Sequence, residues 1–179
     1  MSRDELARVA RGEALLGLRG GVGMAGPEIE RYLSVFRDAL NLNGATDRYS
    51  DPSVGYHWCG AFVYYCCLQA GFPVSAKPVP SYRYTLAAVP AWHHWATATN
   101  IFHPSPDAGQ LGDIALYNHV YDNNPLDHIG IVVETSPDAV LSAEGNNNNQ
   151  TCLFPRPHDC IAGFVRLPED PEYWTTIDH

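Results

Sequence analysis

Between Cys59 and Ala70 the chain runs through Phe62, Val63, Tyr64, Tyr65, Cys66, Cys67 and Leu68 with almost no polar residue. At helical spacing this segment is apolar on nearly every side, and a helix without a polar face belongs in the middle of a domain. Gly71 and Pro73 stop it. With 179 residues and 45% hydrophobic content, the chain can surround such a helix with one core. Ser2 and Glu5 form a capping box, and Leu6, Val9 and Leu16 supply a stripe, predicting a first helix from Arg3 to Leu18. Gly20, Gly21 and Gly23 interrupt the pattern. A second helix is expected from about Pro27, with Ile29, Leu33, Phe36 and Leu40 on one side. Asn41 to His57 reads as a polar loop and Pro90 to Thr99 as a short helix. Strands are expected at Asp113–Tyr117, His128–Glu134, Ala139–Glu144 and Ile161–Leu167. Helices first and strands last imply an α+β fold with an antiparallel sheet. Residues 1–26 read as a helix and glycine-rich hinge set apart as an arm, and residues 27–179 as the domain proper.

The formal charge of −9 opposes nucleic acid or an anionic membrane as the main partner. No stretch is long and apolar enough to insert in a membrane. Met1 to Leu6 is polar and has no apolar signal core, so a substrate outside the cytoplasm, in the periplasm or extracellular, would call for a non-Sec route. Of the five cysteines, Cys66 and Cys67 read as buried thiols. Cys152 and Cys160 bracket a proline-rich loop and could be bridged. No cysteine spacing matches a zinc framework, and the Asn- and Asp-rich segments 47–51 and 118–127 do not reproduce an EF-hand loop, so no metal or cofactor is expected. Trp92 and Trp95, three apart on the short helix, face either the core or a substrate-binding rim, while His93 and His94 point in different directions.

Three segments carry chemistry. Cys59 opens the apolar helix, where unpaired N–H groups and the positive dipole end would favour a thiolate. His128 opens a strand, and Glu144 and Asn146 close the next. Nucleophile, base and orienting group in that order make the skeleton of a cysteine hydrolase. The two strands are joined by the turn sequence Thr135-Ser136-Pro137-Asp138. Pairing centred on that turn puts His128 opposite Gly145, give or take one residue. Glu144 and Asn146 then both flank the imidazole, and a one-residue slip decides which is opposite it.

Trp58-Cys59-Gly60-Ala61-Phe62-Val63, Leu111-Gly112-Asp113-Ile114, His128-Ile129-Gly130-Ile131-Val132 and Glu144-Gly145-Asn146 together resemble the motifs of CHAP domains. The resemblance covers residues 50 to 168. CHAP domains and the related NlpC/P60 group are papain-like peptidoglycan amidases and endopeptidases, carried by phages or used as interbacterial effectors. It implies a papain-like fold, with Cys59 as nucleophile, His128 as base, and Asn146 or Glu144 holding the ring. The backbone N–H of Cys59 would face the oxyanion. Tyr56 stands where NlpC/P60 enzymes place a site tyrosine, and Trp58 is expected as a cleft wall; for both, packing beside the helix is the alternative. The implied substrate is peptidoglycan or a muropeptide. An effector of this kind would add a cognate inhibitor or immunity protein as partner. A deamidase or peptidase acting on a protein substrate would use the same residues, and a non-catalytic CHAP-like binding module would leave Cys59 unreactive.

Overall fold

A computed structural model describes residues 1–176; the last three positions of the expected 27–179 domain lie outside the described residues. Helices α1 (Arg3–Leu15), α2 (Glu30–Gly44), α3 (Cys59–Gln69) and α4 (Val89–Ala98) precede the main strands. The strands are β1 (Phe102–His103), β2 (Ile114–Tyr117), β3 (His128–Thr135), β4 (Ala139–Asn147), β5 (Gln150–Pro157) and β6 (Ile161–Val165), followed by α5 (Pro171–Thr176). They form one six-stranded sheet in the order β1-β6-β2-β3-β4-β5, antiparallel throughout. The architecture is the expected α+β. Among the described residues no helix is long and apolar enough to cross a membrane.

The apolar helix is where its composition requires: Cys59, Ala61, Phe62, Val63, Cys66 and Cys67 are all buried, between the other helices and one face of the sheet. That face carries Ile114, Leu116, Ile129, Ile131 and Ala143. The other carries a smaller cluster of Ala115, Tyr117, Val132, Val140 and Phe164. Trp92 and Trp95 belong to the main core, so the substrate-rim alternative falls away. Asp113 is wholly buried and accepts two hydrogen bonds from Arg166, at 3.0 and 2.7 Å, tying the entry of β2 to the exit of β6.

The division at residue 26 is corrected. Leu6, Ala7, Ala10 and Ala14 of α1 are buried in the main core, which makes α1 part of the domain and not an arm. The glycine-rich segment is fastened as well. Gly20 N–H donates to the Asn149 carbonyl at 2.8 Å, and Asn149 Nδ2 donates to the carbonyls of Gly20 and Gly21. The polar loop after α2 begins later than expected, because α2 continues to Gly44 before Ala45 turns left-handed. Arg37 gathers that loop around itself: its guanidinium pairs with Glu30 and donates to the carbonyls of Tyr49, Asp51, Pro52 and Val54.

The proline-rich stretch after residue 149 is a strand, β5. It lies at the sheet edge, where Pro155 and Pro157 leave no inner neighbour without a donor. Cys152 and Cys160 are free thiols. The asparagine run makes the tight β4–β5 turn, with Asn148 and Asn149 both at positive φ, a conformation asparagine tolerates better than most residues.

Candidate active site

Cys59 is the first residue of α3. Trp58 before it supplies no side-chain cap, so the N–H groups of the first turn are left for another acceptor. Cys59 and His128 line one cleft of about 550 Å³, together with Met24, Ala88, Tyr121, Asp127 and Asn146. Segments 72–110 and 118–127 both contribute to its walls.

The β3–β4 register brings Glu144 and Asn146 to the His128 face, and the break in β4 after Glu144 decides which of them orients the ring. Ile131 pairs with Ala143, and continuing one for one sets Gly130 level with Glu144. A bulge at Val133 produces this register, one residue from the centred pairing and inside its stated tolerance. Glu144 then shares the His128 face of the sheet, and its Oε2 lies 2.9 Å from His128 Nε2. Gly130 leaves room for this, since a Cβ there would stand 2.9 Å from Glu144 Cγ. Asn146 does not hold the ring. The β4–β5 ladder is irregular between Glu144 and Asn147, and Asn146 has turned to positive φ with its side chain on the cleft wall. Asn147, its neighbour, donates to Glu144 Oε2 at 2.9 Å instead.

His128 and Glu144 are both almost wholly buried. Burial alone would depress the imidazole pKa. Hydrogen bonds from the Cys59 side and from Glu144, with the Glu144 charge, outweigh it and raise the value to about 9. Glu144 is pushed up by burial, but its bonds to Arg156 and His128 prevail and hold it below the usual carboxylate value. With Nε2 taken by Glu144, Nδ1 is the ring nitrogen left for the sulfur. The ring also meets Tyr117 in a stack at 6.0 Å and Tyr121 edge-on at 4.7 Å.

Tyr56 and Trp58 are placed away from the cleft. Tyr56 donates its hydroxyl to the Leu33 carbonyl of α2 and packs edge-on to Tyr49. Trp58 is fully buried, stacked on Tyr32, with Nε1 donating to Asn149 Oδ1 at 3.1 Å. The substrate-binding expectation for both gives way to the packing alternative: each ring is used up in packing. Sequence reasoning misses Arg156 and Tyr121. Arg156 lies in a stretch that reads as loop, and only recognition of β5 as an edge strand, with Arg156 alternating onto the Glu144 face, would find it.

Gly145 points to the opposite face, toward α3. A Cβ there would lie 2.4 Å from Phe62 Cβ and 2.8 Å from Trp58 Cζ3. Gly145→Ala is expected to cost about 1–3 kcal/mol through overpacking, read as a lower urea midpoint at unchanged slope.

The model of the CHAP domain family matches residues 51–146. No curated protein and no solved structure matches the chain. The cysteine helix and the His128–Glu144 hairpin fall within the matched segment, Met24, Asn148 and Asn149 of the cleft wall lie outside it, and the α+β architecture is that of a papain-like fold. The chain belongs to the CHAP domain family, whose members are generally hydrolases of the amidase or peptidase type.

Proposed function

We propose that the protein is a cysteine amidase or endopeptidase that hydrolyses amide bonds of peptidoglycan stem peptides. The observation that carries this reading is the placing of Cys59, at an uncapped helix start, in one cleft with a buried His128 held by Glu144. Family membership supplies the substrate class.

In the proposed reaction the Cys59 sulfur attacks the amide carbonyl carbon, and the carbonyl oxygen takes up the negative charge. The N–H groups of the first turn of α3 point at that oxygen, stabilising charge that develops only as the bond forms. His128, which keeps its proton up to about pH 9, delivers it to the leaving amine as the C–N bond breaks. Water then attacks the thioester, giving its proton to the same imidazole, and the carboxylate product leaves the sulfur free. Glu144 stays ionised throughout and fixes the ring.

The test is a digest of purified Gram-positive and Gram-negative peptidoglycan with the wild type and with Cys59→Ala, analysed by mass spectrometry. New fragments from the wild type alone are the expected result, and their masses name the bond. Intact peptidoglycan with both proteins would overturn the proposal and return attention to a protein substrate or a binding role.

A further inference from the structure

Glu144 is held by more than the histidine. Arg156, on the edge strand β5 and outside the segment matched by the family model, is itself buried. Its Nε donates to Glu144 Oε1 at 2.8 Å and its Nη2 to Oε2 at 2.7 Å, the two-pronged geometry that fixes a carboxylate in plane. The guanidinium lies over the ring of Phe154 at 4.5 Å and that of Tyr117 at 5.1 Å, so its own position is determined by packing. Oε2 thus accepts from Arg156, Asn147 and His128 together.

From this geometry we propose that Arg156 is a positioning residue of the site: its fork orients Glu144 toward His128, and its charge limits how strongly the carboxylate holds the imidazole proton. A proton held too firmly is not released to the leaving amine, so a carboxylate facing the histidine without a counter-charge would be a poorer partner for catalysis. The groups that face His128 are Cys59 from α3, Tyr117 from β2, Tyr121 and Asp127 from the 118–127 loop, and Glu144 from β4, with Arg156 of β5 acting through Glu144. Arg156 is the cation of this set whose charge does not depend on pH, and it touches the carboxylate directly. The inference rests on the hydrolase reading only where turnover is concerned.

The experiment follows the His128 ring resonances by NMR as a function of pH, without substrate, in the wild type, Arg156→Gln and Arg156→Lys. Loss of the charge in Arg156→Gln is expected to raise the His128 pKa by about one unit. Arg156→Lys keeps the charge but releases one carboxylate oxygen, and a rise of roughly half that is expected. Should the glutamine variant fail to fold, the lysine variant decides. An unchanged or lowered titration in whichever variants fold would overturn the proposal. On peptidoglycan, both variants are expected to lose about tenfold in kcat at unchanged KM, because Arg156 acts through Glu144 and not on substrate. Titration shifts as expected in a protein whose wild type cuts no peptidoglycan would uphold the role of Arg156 and sink the substrate assignment instead.

Discussion

Turnover of the double variant Cys59→Ala/His128→Ala is expected to equal that of Cys59→Ala alone, about ten-thousand- to million-fold below the wild type. The two side chains act on one another before either acts on substrate. The imidazole has work only if a sulfur has attacked, so removing it from an enzyme already without the sulfur takes nothing further away. His128→Ala alone is expected to lose about a thousand- to ten-thousand-fold, since the thiol keeps some intrinsic nucleophilicity. Fragment release followed by mass spectrometry measures all three variants. A double variant slower than Cys59→Ala by the full His128 factor would mean that the histidine serves some step apart from the cysteine. Folding should not confuse the comparison, because Glu144 keeps both bonds to Arg156 when His128 is gone. A thermal melt checks this directly.

Glu144→Ala is expected to be the most damaging single change to stability, costing about 3–5 kcal/mol in a urea titration. The wild-type side chain has no solvent exposure, and its loss leaves Arg156 buried with no anion, alongside the stranded Asn147 amide and His128 Nε2. Gains from truncating the side chain are small beside an uncompensated interior cation. The same network sets how wild-type stability depends on pH. The folded value of His128 is raised from 6.5 to about 9, so its contribution is complete below about pH 6.5 and disappears as pH climbs through 9. Glu144 is lowered from 4.5, so its contribution is complete above that value and is lost as pH falls through the lower folded one. Between about pH 4.5 and 6.5 both are in full effect. In Glu144→Ala the alkaline decline attributable to His128 should shrink and move to lower pH, because burial is then opposed by the cysteine alone. A stability profile that keeps the wild-type alkaline decline would mean that Glu144 is not what holds the histidine proton.

Much of this arrangement is legible in the sequence. The apolar run from Cys59 gives away both a central helix and its first residue, because hydrophobic periodicity and the Gly71 stop are local signals. The turn at Thr135–Asp138 places the His128 hairpin to within one residue. The choice between Glu144 and Asn146 is not legible, since it turns on where β4 breaks, and a run of four asparagines does not say which of them turns left-handed first. β5 is hidden by Pro155 and Pro157, which argue against a strand everywhere except at an edge, and edge position is a property of the whole sheet. Arg156 is hidden with it. Tyr56 and Trp58 mislead for a related reason: nearness to Cys59 in sequence says nothing about which way a ring points, and both turn inward. The glycines at 20, 21 and 23 look like a hinge because the residue that pins the segment, Asn149, is far along the chain.

The strand order has a consequence for how the protein comes off the ribosome. β6, the last strand made, lies between β1 and β2, two of the first. Until residues 161–165 emerge, Phe102 and His103 have no partner and the buried strand Ile114–Tyr117 presents a bare edge. The Arg156 fork on Glu144 is likewise absent until late in synthesis. A nascent chain long enough to contain Cys59, His128 and Glu144 is thus still without its closing strand, and the domain folds as a unit only when nearly all of it has been translated.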